Sequence, residues 1–231
     1  MFFGAHAHCN FLVIDGHSTD GSYGYASSFA REHSNVEVLQ RAPNGVYDAM
    51  NFAVNNVTTE FVMFINSGDV LLTNPNFILD QLTRLAIDPS IKALSFKCAN
   101  FFTERSTRYY SNSNATIPHQ GLVYQVTLHE TLGLYDPSYN TISDRLFISA
   151  VPNYNLLIVD KYLSATLVSP ENRSRRPGLL SQDMKRIKGT QHNYTPFPWY
   201  KLLVYQLEKV VGFSFSSYFK AIIFEKIVHA N

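Results

Sequence analysis

The sequence predicts an α/β protein with a doubly wound, mostly parallel sheet, flanking helices and a helical C-terminal tail. Short apolar runs alternate with stretches of helical periodicity, which is typical of parallel strands joined by crossover helices. Several of these runs end in turns that carry an acidic residue, and ligands of open α/β sheets bind at the carboxyl ends of strands. The chain has 231 residues, 45% of them hydrophobic, so it can bury a sizeable core.

Small or polar residues separate the predicted elements. In order, these are a strand over 11–14, a helix from about 20 to 33, a strand over 36–39, a helix over 46–57, a strand over 61–65, a helix over 75–87 and a strand over 93–98. A polar, aromatic stretch over 100–113 predicts a hairpin or a loop. The remaining elements are a helix over 121–132, a short helix over 142–150 and a strand over 154–159.

The composition argues against several functions. A formal net charge of +1 leaves no basic excess to neutralise phosphates, so we expect no nucleic-acid partner. The two cysteines, Cys9 and Cys98, provide no disulfide framework and are expected to be reduced thiols of a cytoplasmic protein. No uncharged apolar run approaches the roughly 20 residues that span a bilayer. No Gly-x-Gly-x-x-Gly motif follows the first strand, which argues against a dinucleotide-dependent dehydrogenase.

The composition changes near residue 168, and we predict a boundary between a domain over 1–168 and a segment over 169–231. That segment begins with arginines and lysines interrupted by Pro177-Gly178 and continues as an aromatic, amphipathic stretch from Pro196 to Asn231. We expect a basic connector followed by two helices. The tail either packs against the first domain, which we favour, or makes a peripheral contact with the inner face of a membrane or with a partner.

Acidic side chains occur where ligands of such a sheet would bind. Asp15 follows the first strand, Asp48 lies near the start of the helix over 46–57, and Asp69 follows the strand over 61–65. Two of them also have a structural explanation: Asp15 suits turn chemistry and Asp69 an exposed loop. For Asp144 the alternative is a helix N-terminal carboxylate stabilised by the helix dipole.

Five motifs in this order resemble a known family. Ile14-Asp-Gly-His-Ser-Thr-Asp-Gly21, Asn44-Gly-Val-Tyr-Asp-Ala-Met-Asn51 and Phe64-Ile-Asn-Ser-Gly-Asp69 are similar to successive blocks of the family 2 glycosyltransferases. Pro118-His-Gln120 and Ile142-Ser-Asp-Arg-Leu-Phe147 resemble later blocks. These are inverting enzymes of the GT-A fold. The resemblance covers about residues 11–150, and the ordered set is more specific than any single block.

The resemblance implies a metal site and a catalytic base. Asp69 is expected to hold a divalent cation, Mg²⁺ or Mn²⁺, beside the diphosphate of a nucleotide-sugar donor, since hard cations prefer oxygen ligands. The family usually has two adjacent acids here, whereas this chain has Gly68-Asp69 and retains the second. Asp144 is expected to be the general base that takes the proton of the acceptor hydroxyl.

The donor-binding residues implied by the resemblance come from four different motifs. Asp15 resembles the acid that hydrogen-bonds the nucleotide base. Tyr47, Asp48 and Asn66 are expected to face the donor. His119 is expected near the diphosphate or the acceptor, although a lone histidine is structural at least as often.

The chain departs from the family at its beginning. Members normally start with a strand, a Pro-x-Tyr-Asn-like loop and a helix, and only ten residues stand in that place here. The sequence is therefore either an N-terminally incomplete version of a longer protein, which we favour, or a natural short form.

Two functions follow as hypotheses. The first is metal-dependent transfer of a sugar, from a UDP-linked donor, to a glycan or lipid-linked acceptor in cell-envelope polysaccharide synthesis. The second is a non-catalytic GT-A-like binding or scaffold module, which the missing first unit motivates.

Overall fold

The computed structural model describes residues 9–85, 88–103, 106–110, 117–167 and 177–188. The chain divides into two compact units, Met1–Leu167 and Val168–Asn231. The first contains β1 (Phe11–Asp15), α1 (Ser22–Glu32), β2 (Val36–Gln40), α2 (Val46–Asn56), β3 (Phe61–Val62), β4 (Asp69–Leu71), α3 (Pro75–Leu85), β5 (Ala93–Thr103), β6 (Ser106–Tyr110), β7 (Leu122–Gln125), α4 (Leu128–Leu132), α5 (Ser143–Ala150) and β8 (Leu156–Leu167). Among the described residues, 3₁₀ turns cover His119–Gly121 and Val151–Tyr154. In the second unit, α6 spans Pro177–Lys188.

The described strands form two sheets. β1 and β2 are parallel, with Phe11 opposite Val36 and Asp15 opposite Gln40. The larger sheet has the order β3-β7-β5-β8-β4, and β6 pairs with β5. β3, β5 and β8 point the same way, because β7 is antiparallel to both β3 and β5 while β8 is parallel to β5. The predicted α/β class is confirmed, and β4, β6 and β7 add antiparallel pairs to it.

The core of the larger sheet is centred on β5. Leu94 and Phe96 lie on one face of this strand and pack with Val123 of β7 and Leu163 of β8, and all four are at most 2% exposed. Ile78 of α3 covers this cluster and is 6% exposed. Burying each such side chain stabilises the fold by about 1.5–3 kcal/mol. The two residues on either side of Leu94 lie on the opposite face and are equally buried, so β5 is covered on both faces.

The predicted helix over 121–132 is wrong in its first half. Leu122–Gln125 is strand β7, which lies between β3 and β5, and only Leu128–Leu132 is helical. The three- and four-residue spacing of Leu122, Val126 and His129 suggested a helix. Three consecutive buried residues from Leu122 are instead typical of a strand that is covered on both faces.

The strand predicted over 61–65 is shorter than expected, and a further strand follows it. β3 contains only Phe61 and Val62, and Ile65 is 39% exposed. Asp69 then begins β4 opposite Thr166 of β8. The acidic residue therefore lies at the start of an edge strand, a position more rigid than the predicted loop.

Other regions agree with the pattern or extend it. β5 and β6 form an antiparallel hairpin, one of the two options for 100–113. β8 reaches Leu167, well beyond the predicted end at 159, because it pairs with both β5 and β4. The connector contains α6, whereas the tail over 196–231 lies outside the described residues. Across the described ranges, no helix is both long and apolar enough to cross a bilayer.

Gly121 lets the 3₁₀ turn approach β5 closely. A Cβ at this position would lie 2.4 Å from the Phe96 carbonyl oxygen and 3.0 Å from Cys98 Sγ. A backbone oxygen inside a sheet cannot move away easily, so Gly121→Ala is expected to lower the free energy of unfolding by about 1–3 kcal/mol. Urea denaturation measures this change.

Gly24→Ala is the matched control, because a Cβ on this α1 residue meets nothing within 4 Å. It is expected to raise the free energy of unfolding by up to about 1 kcal/mol, as alanine is the better helix former. Wild-type stability in Gly121→Ala would contradict the described packing of the turn.

Candidate active site

The Asp69 loop is closed by reciprocal hydrogen bonds. The Asn66 amide donates to Asp69 Oδ2 at 2.9 Å, and the Asp69 amide donates to the Asn66 carbonyl oxygen at 3.0 Å. Gly68 between them has φ 89°, a conformation that glycine adopts at little cost. The loop therefore fixes the carboxylate of Asp69, while the predicted donor-facing residue Asn66 contributes its backbone and has an exposed side chain.

Burial raises the pKa of the Asp69 carboxyl above its ordinary value. Hydrogen bonds from the Thr166 and Gln120 side chains oppose this shift, as does the neighbouring charge of His119. In the part of the chain that is described, no lysine or arginine forms an ion pair with Asp69. A partly desolvated carboxylate of this kind is a good ligand for a cation that arrives from outside.

Asp144 lies in the first turn of α5, and both of its oxygens face groups from distant parts of the chain. The Tyr47 hydroxyl donates to Oδ1 at 2.8 Å, and His119 Nδ1 lies 3.8 Å from Oδ2. The side chain of Asp144 is 18% exposed and that of His119 is 11% exposed. His119 therefore lies close to Asp144, and its neighbour Gln120 contacts Asp69.

Aromatic rings support these polar groups. Tyr135 packs against Tyr47 with ring centroids 6.1 Å apart and meets Phe64 edge-on at 6.0 Å. Phe64 in turn stacks on His119 at 6.0 Å. The Asn51 amide holds the backbone of Tyr135 at both polar groups, with distances of 2.7 and 2.9 Å. One buried ring thus supports both groups that flank Asp144.

A hydrogen-bonded chain lies behind Tyr135, and its donor directions can be assigned. His129 Nδ1 must donate to the Gly133 carbonyl oxygen at 3.0 Å, so Nε2 of the neutral ring accepts from the Tyr124 hydroxyl at 2.9 Å. The Tyr135 hydroxyl then donates to that of Tyr124 at 2.8 Å. Burial lowers the pKa of His129, in agreement with a neutral ring. Every donor in this chain has an acceptor, which fixes Tyr135.

Asp48 is engaged by an arginine that sequence reasoning did not single out. Arg41 Nε and Nη2 lie 3.1 and 3.3 Å from the two Asp48 oxygens, and the guanidinium lies 5.0 Å above the Phe52 ring. The hydrogen bond from Arg41 lowers the pKa of the Asp48 carboxyl. Asp48 is therefore an ionised, paired residue at the start of α2.

Asp15 closes β1 with the contacts of a turn. Its Oδ2 accepts from the Ser18 amide at 3.0 Å and from Gln40 Nε2 at 3.2 Å. Hydrogen bonding by Ser18 is the main reason that the pKa of this carboxyl is lowered. Within the described ranges, no hydrogen bond or ion pair joins Asp15 to Asp69 or Asp144. The structure thus groups Asp69, His119, Asp144 and Tyr47, while Asp15 and Asp48 lie in contacts of their own.

Sequence reasoning missed several side chains that shape the site, among them Gln120, Tyr135 and Arg41. Gln120 follows the predicted His119, so the Pro-His-Gln motif contained the signal for it. Tyr135 and Arg41 had no such signal, because their partners are set by tertiary packing. Among the described residues, no group of three or more histidine, cysteine, aspartate or glutamate side chains is arranged to hold a metal. A cation at Asp69 would take its other ligands from substrate or water.

Comparison with known proteins connects this site to a family. The sequence model described as Glycosyl transferase family 2 matches residues 5–119. The PGL/p-HBAD biosynthesis glycosyltransferases of Mycobacterium tuberculosis and Mycobacterium bovis are 28% identical over 192 residues, which covers 72% of this chain and 72% of each relative.

Solved structures share the fold. Staphylococcus aureus TarS 1-349 in complex with UDP has a TM-score of 0.55 at 16% identity, covering 79% of this chain and 63% of that one. The mannosyltransferase PcManGT from Pyrobaculum calidifontis, with GDP-Man and Mn²⁺, has a TM-score of 0.58 at 16% identity, covering 96% and 66%. The chain therefore spans less than two thirds of either solved chain. By its sequence match and its GT-A fold, this chain belongs to glycosyl transferase family 2.

Proposed function

We propose that this chain transfers a sugar from a UDP-linked donor to a glycan or lipid-linked acceptor, with inversion at the anomeric carbon. Asp69 holds a divalent cation and Asp144 is the general base. The observation that carries the proposal is that two consecutive residues contact the two carboxylates. His119 Nδ1 lies 3.8 Å from Asp144 Oδ2, and the Gln120 side chain hydrogen-bonds Asp69. A carboxylate suited to a cation and a carboxylate suited to a proton thus belong to one cluster.

The donor set at Asp69 fits a hard cation. The carboxylate is partly desolvated, is fixed by the Asn66 backbone amide, and accepts hydrogen bonds from the Thr166 and Gln120 side chains. Mg²⁺ and Mn²⁺ commonly bind through one or two carboxylates and complete their shell with phosphates and water. When bound, the cation would neutralise the negative charge that develops on the diphosphate leaving group. The solved mannosyltransferase contains Mn²⁺ with its sugar nucleotide, which supports this choice.

Asp144 supports the chemistry of inversion. Its Oδ1 is engaged by Tyr47, and Oδ2 is left to accept the proton of the acceptor hydroxyl. The acceptor oxygen then forms a bond to the anomeric carbon on the face opposite the leaving group. The bond from that carbon to the phosphate oxygen breaks, and the nucleoside diphosphate leaves with its electron pair. General-base assistance of this kind contributes about 10²- to 10⁴-fold to the rate.

Donor contacts are assigned to residues around the Asp69 loop and to Asp15. Asn66 and His119 lie beside Asp69 and Asp144 and suit the diphosphate and the sugar. Asp15 is kept ionised by its turn and suits the nucleotide base. Donor binding by Tyr47 and Asp48 stays a prediction, since their polar atoms contact Asp144 and Arg41.

The wider organisation belongs to the same proposal. Residues 1–168 form the transferase domain, and 169–231 form a connector and tail. The basic residues of the connector suit an anionic membrane surface, so we assign the reaction to the cytoplasm at the inner face of the membrane, within cell-envelope polysaccharide synthesis. The curated mycobacterial relatives are named PGL/p-HBAD biosynthesis glycosyltransferases, which supports a role in a biosynthetic glycosyl transfer.

Calorimetric titration with UDP and with GDP, each in Mn²⁺, tests the proposed donor. Wild-type chain is expected to bind UDP at least about 10-fold more tightly than GDP, and Asp15→Ala is expected to weaken UDP binding by about 10-fold or more through loss of a charge-assisted hydrogen bond. Asp20→Ala is the matched control from the same loop and should bind UDP as wild type does. Equal affinities for UDP and GDP in wild type, unchanged by Asp15→Ala, would contradict the assignment of a uridine nucleotide.

A further inference from the structure

The hydrogen bond between Tyr47 and Asp144 joins residues 97 positions apart in the sequence. It connects the first turn of α2 to the first turn of α5, and its length of 2.8 Å is usual for an O–H···O hydrogen bond. The sequence predicts Tyr47 as a donor contact, yet its single hydroxyl is directed at the general base of the proposed reaction. The contact therefore suggests a role for Tyr47 toward Asp144, which differs from the donor contact that the motifs imply.

Tyr47 is held as rigidly as any residue of the site. It is 5% exposed, and its ring packs on Tyr135, whose backbone is fixed by Asn51. Burial is the largest reason that the pKa of the Tyr47 phenol is raised above its ordinary value, and the charge of Asp144 adds to it. The phenol is thus protonated at any pH at which the enzyme would work, so it remains a hydrogen-bond donor.

Asp144 needs such a fixed donor. Among the described residues, the Tyr47 hydroxyl is the donor that meets its carboxylate within hydrogen-bond distance. The charged and titratable groups that face it are the Tyr47 hydroxyl, His119 Nδ1 at 3.8 Å and, at longer range, the Tyr135 phenol, while Arg145 is its neighbour on α5. Of these distances, the one to Tyr47 lies within hydrogen-bond range and the one to His119 does not.

We propose that Tyr47 is a positioning residue, an inference that rests on the proposed function. Its hydroxyl fixes Asp144 Oδ1, so that Oδ2 is the oxygen that takes the proton of the acceptor hydroxyl. A hydrogen bond to a charged group stabilises the ionised form, and rotation of the carboxylate away from the acceptor is prevented. Removing the hydroxyl leaves the donor pocket intact, because the hydroxyl is directed at Asp144 and the ring remains packed on Tyr135.

Tyr47→Phe tests this assignment, because it removes only the hydroxyl. The assay measures UDP release in the presence of Mn²⁺. The donor is UDP-glucose, UDP-galactose or UDP-N-acetylglucosamine, chosen as the one that the wild-type protein consumes. Loss of a hydrogen bond to a charged group predicts a kcat lowered by about 10-fold or more, with the donor KM within about 2-fold of wild type. In an Asp144→Asn background, Tyr47→Phe is expected to have no further effect on kcat.

Tyr124→Phe is the matched control, since it removes another buried phenol of the same aromatic cluster that does not contact Asp144. It is expected to lower stability and to leave kcat within about 3-fold of wild type, the scatter usual for a site without direct contact.

Two results would overturn the assignment. The first is a raised donor KM with unchanged kcat, which indicates donor binding. The second is an equal loss of kcat when Tyr47→Phe is made in the wild-type and in the Asp144→Asn backgrounds. Failure of the proposed function is distinguishable from these, because it requires Asp144→Asn to release UDP at the wild-type rate.

Discussion

Asp144→Asn is expected to lower kcat by about 10²- to 10⁴-fold, the usual contribution of a general base. The substitution keeps the size of the side chain and one oxygen that can accept from Tyr47, but it removes the basic oxygen that faces the acceptor. Nucleotide binding is expected to be unchanged, since no described contact of Asp144 belongs to the Asp69 loop. UDP release measured with saturating donor and Mn²⁺ gives the change in kcat.

Asp80→Asn provides the control, because Asp80 is an exposed carboxylate on α3 that belongs to none of the proposed site motifs. It should retain wild-type turnover. The alternative explanation of Asp144 as a helix N-terminal charge predicts a different outcome. Asp144→Asn would then lose at most about 1 kcal/mol of stability and keep its kcat.

Asp69→Ala is expected to weaken Mn²⁺-dependent binding of UDP by about 100-fold or more, because a bound cation contributes several kcal/mol at a diphosphate. Binding without metal should already be weak in wild type and should change little in the variant. Titration of each chain with UDP, in Mn²⁺ and in a chelator, measures both effects.

Asp69→Ala is expected to weaken UDP binding without lowering the stability of the fold, so the two measurements separate a loss of function from a loss of folding. The pKa of Asp69 is raised by burial, so above that pKa the ionised carboxylate opposes folding, and its removal should leave the free energy of unfolding unchanged or slightly higher at neutral pH. Asp80→Ala is the control for both measurements. Wild-type UDP affinity in Asp69→Ala would exclude this residue as the metal ligand.

The sequence was sufficient for features that depend on local pattern. Strand β1, helix α2 and helix α3 follow from apolar spacing and turn residues, and the acidic residues that end the predicted strands could be named before any coordinates. Asp69 and Asp144 also came from ordered motifs. What those motifs could not predict is which side chains face each other, since the Tyr47 and Asp144 pair spans 97 residues.

The errors have one physical cause, which is that tertiary pairing overrides local spacing. The residue spacing of β7 predicts the start of a helix, but the segment is a strand because it pairs with β3 on one side and β5 on the other. β4 has only three residues, and it becomes a strand because β8 extends far enough to pair with it. Tyr135 reads as a turn residue before Asp136-Pro137, yet it is the ring that supports Tyr47 and Phe64.

The most direct measurement of the central claim compares UDP binding in Mn²⁺ by three chains: wild type, Asp69→Ala and Asp144→Asn. If Asp69 holds the cation and Asp144 removes the acceptor proton, wild type and Asp144→Asn will bind UDP equally well, and Asp69→Ala will bind about 100-fold more weakly. Equal binding by all three chains, or a loss in Asp144→Asn as large as that in Asp69→Ala, would contradict this division of roles.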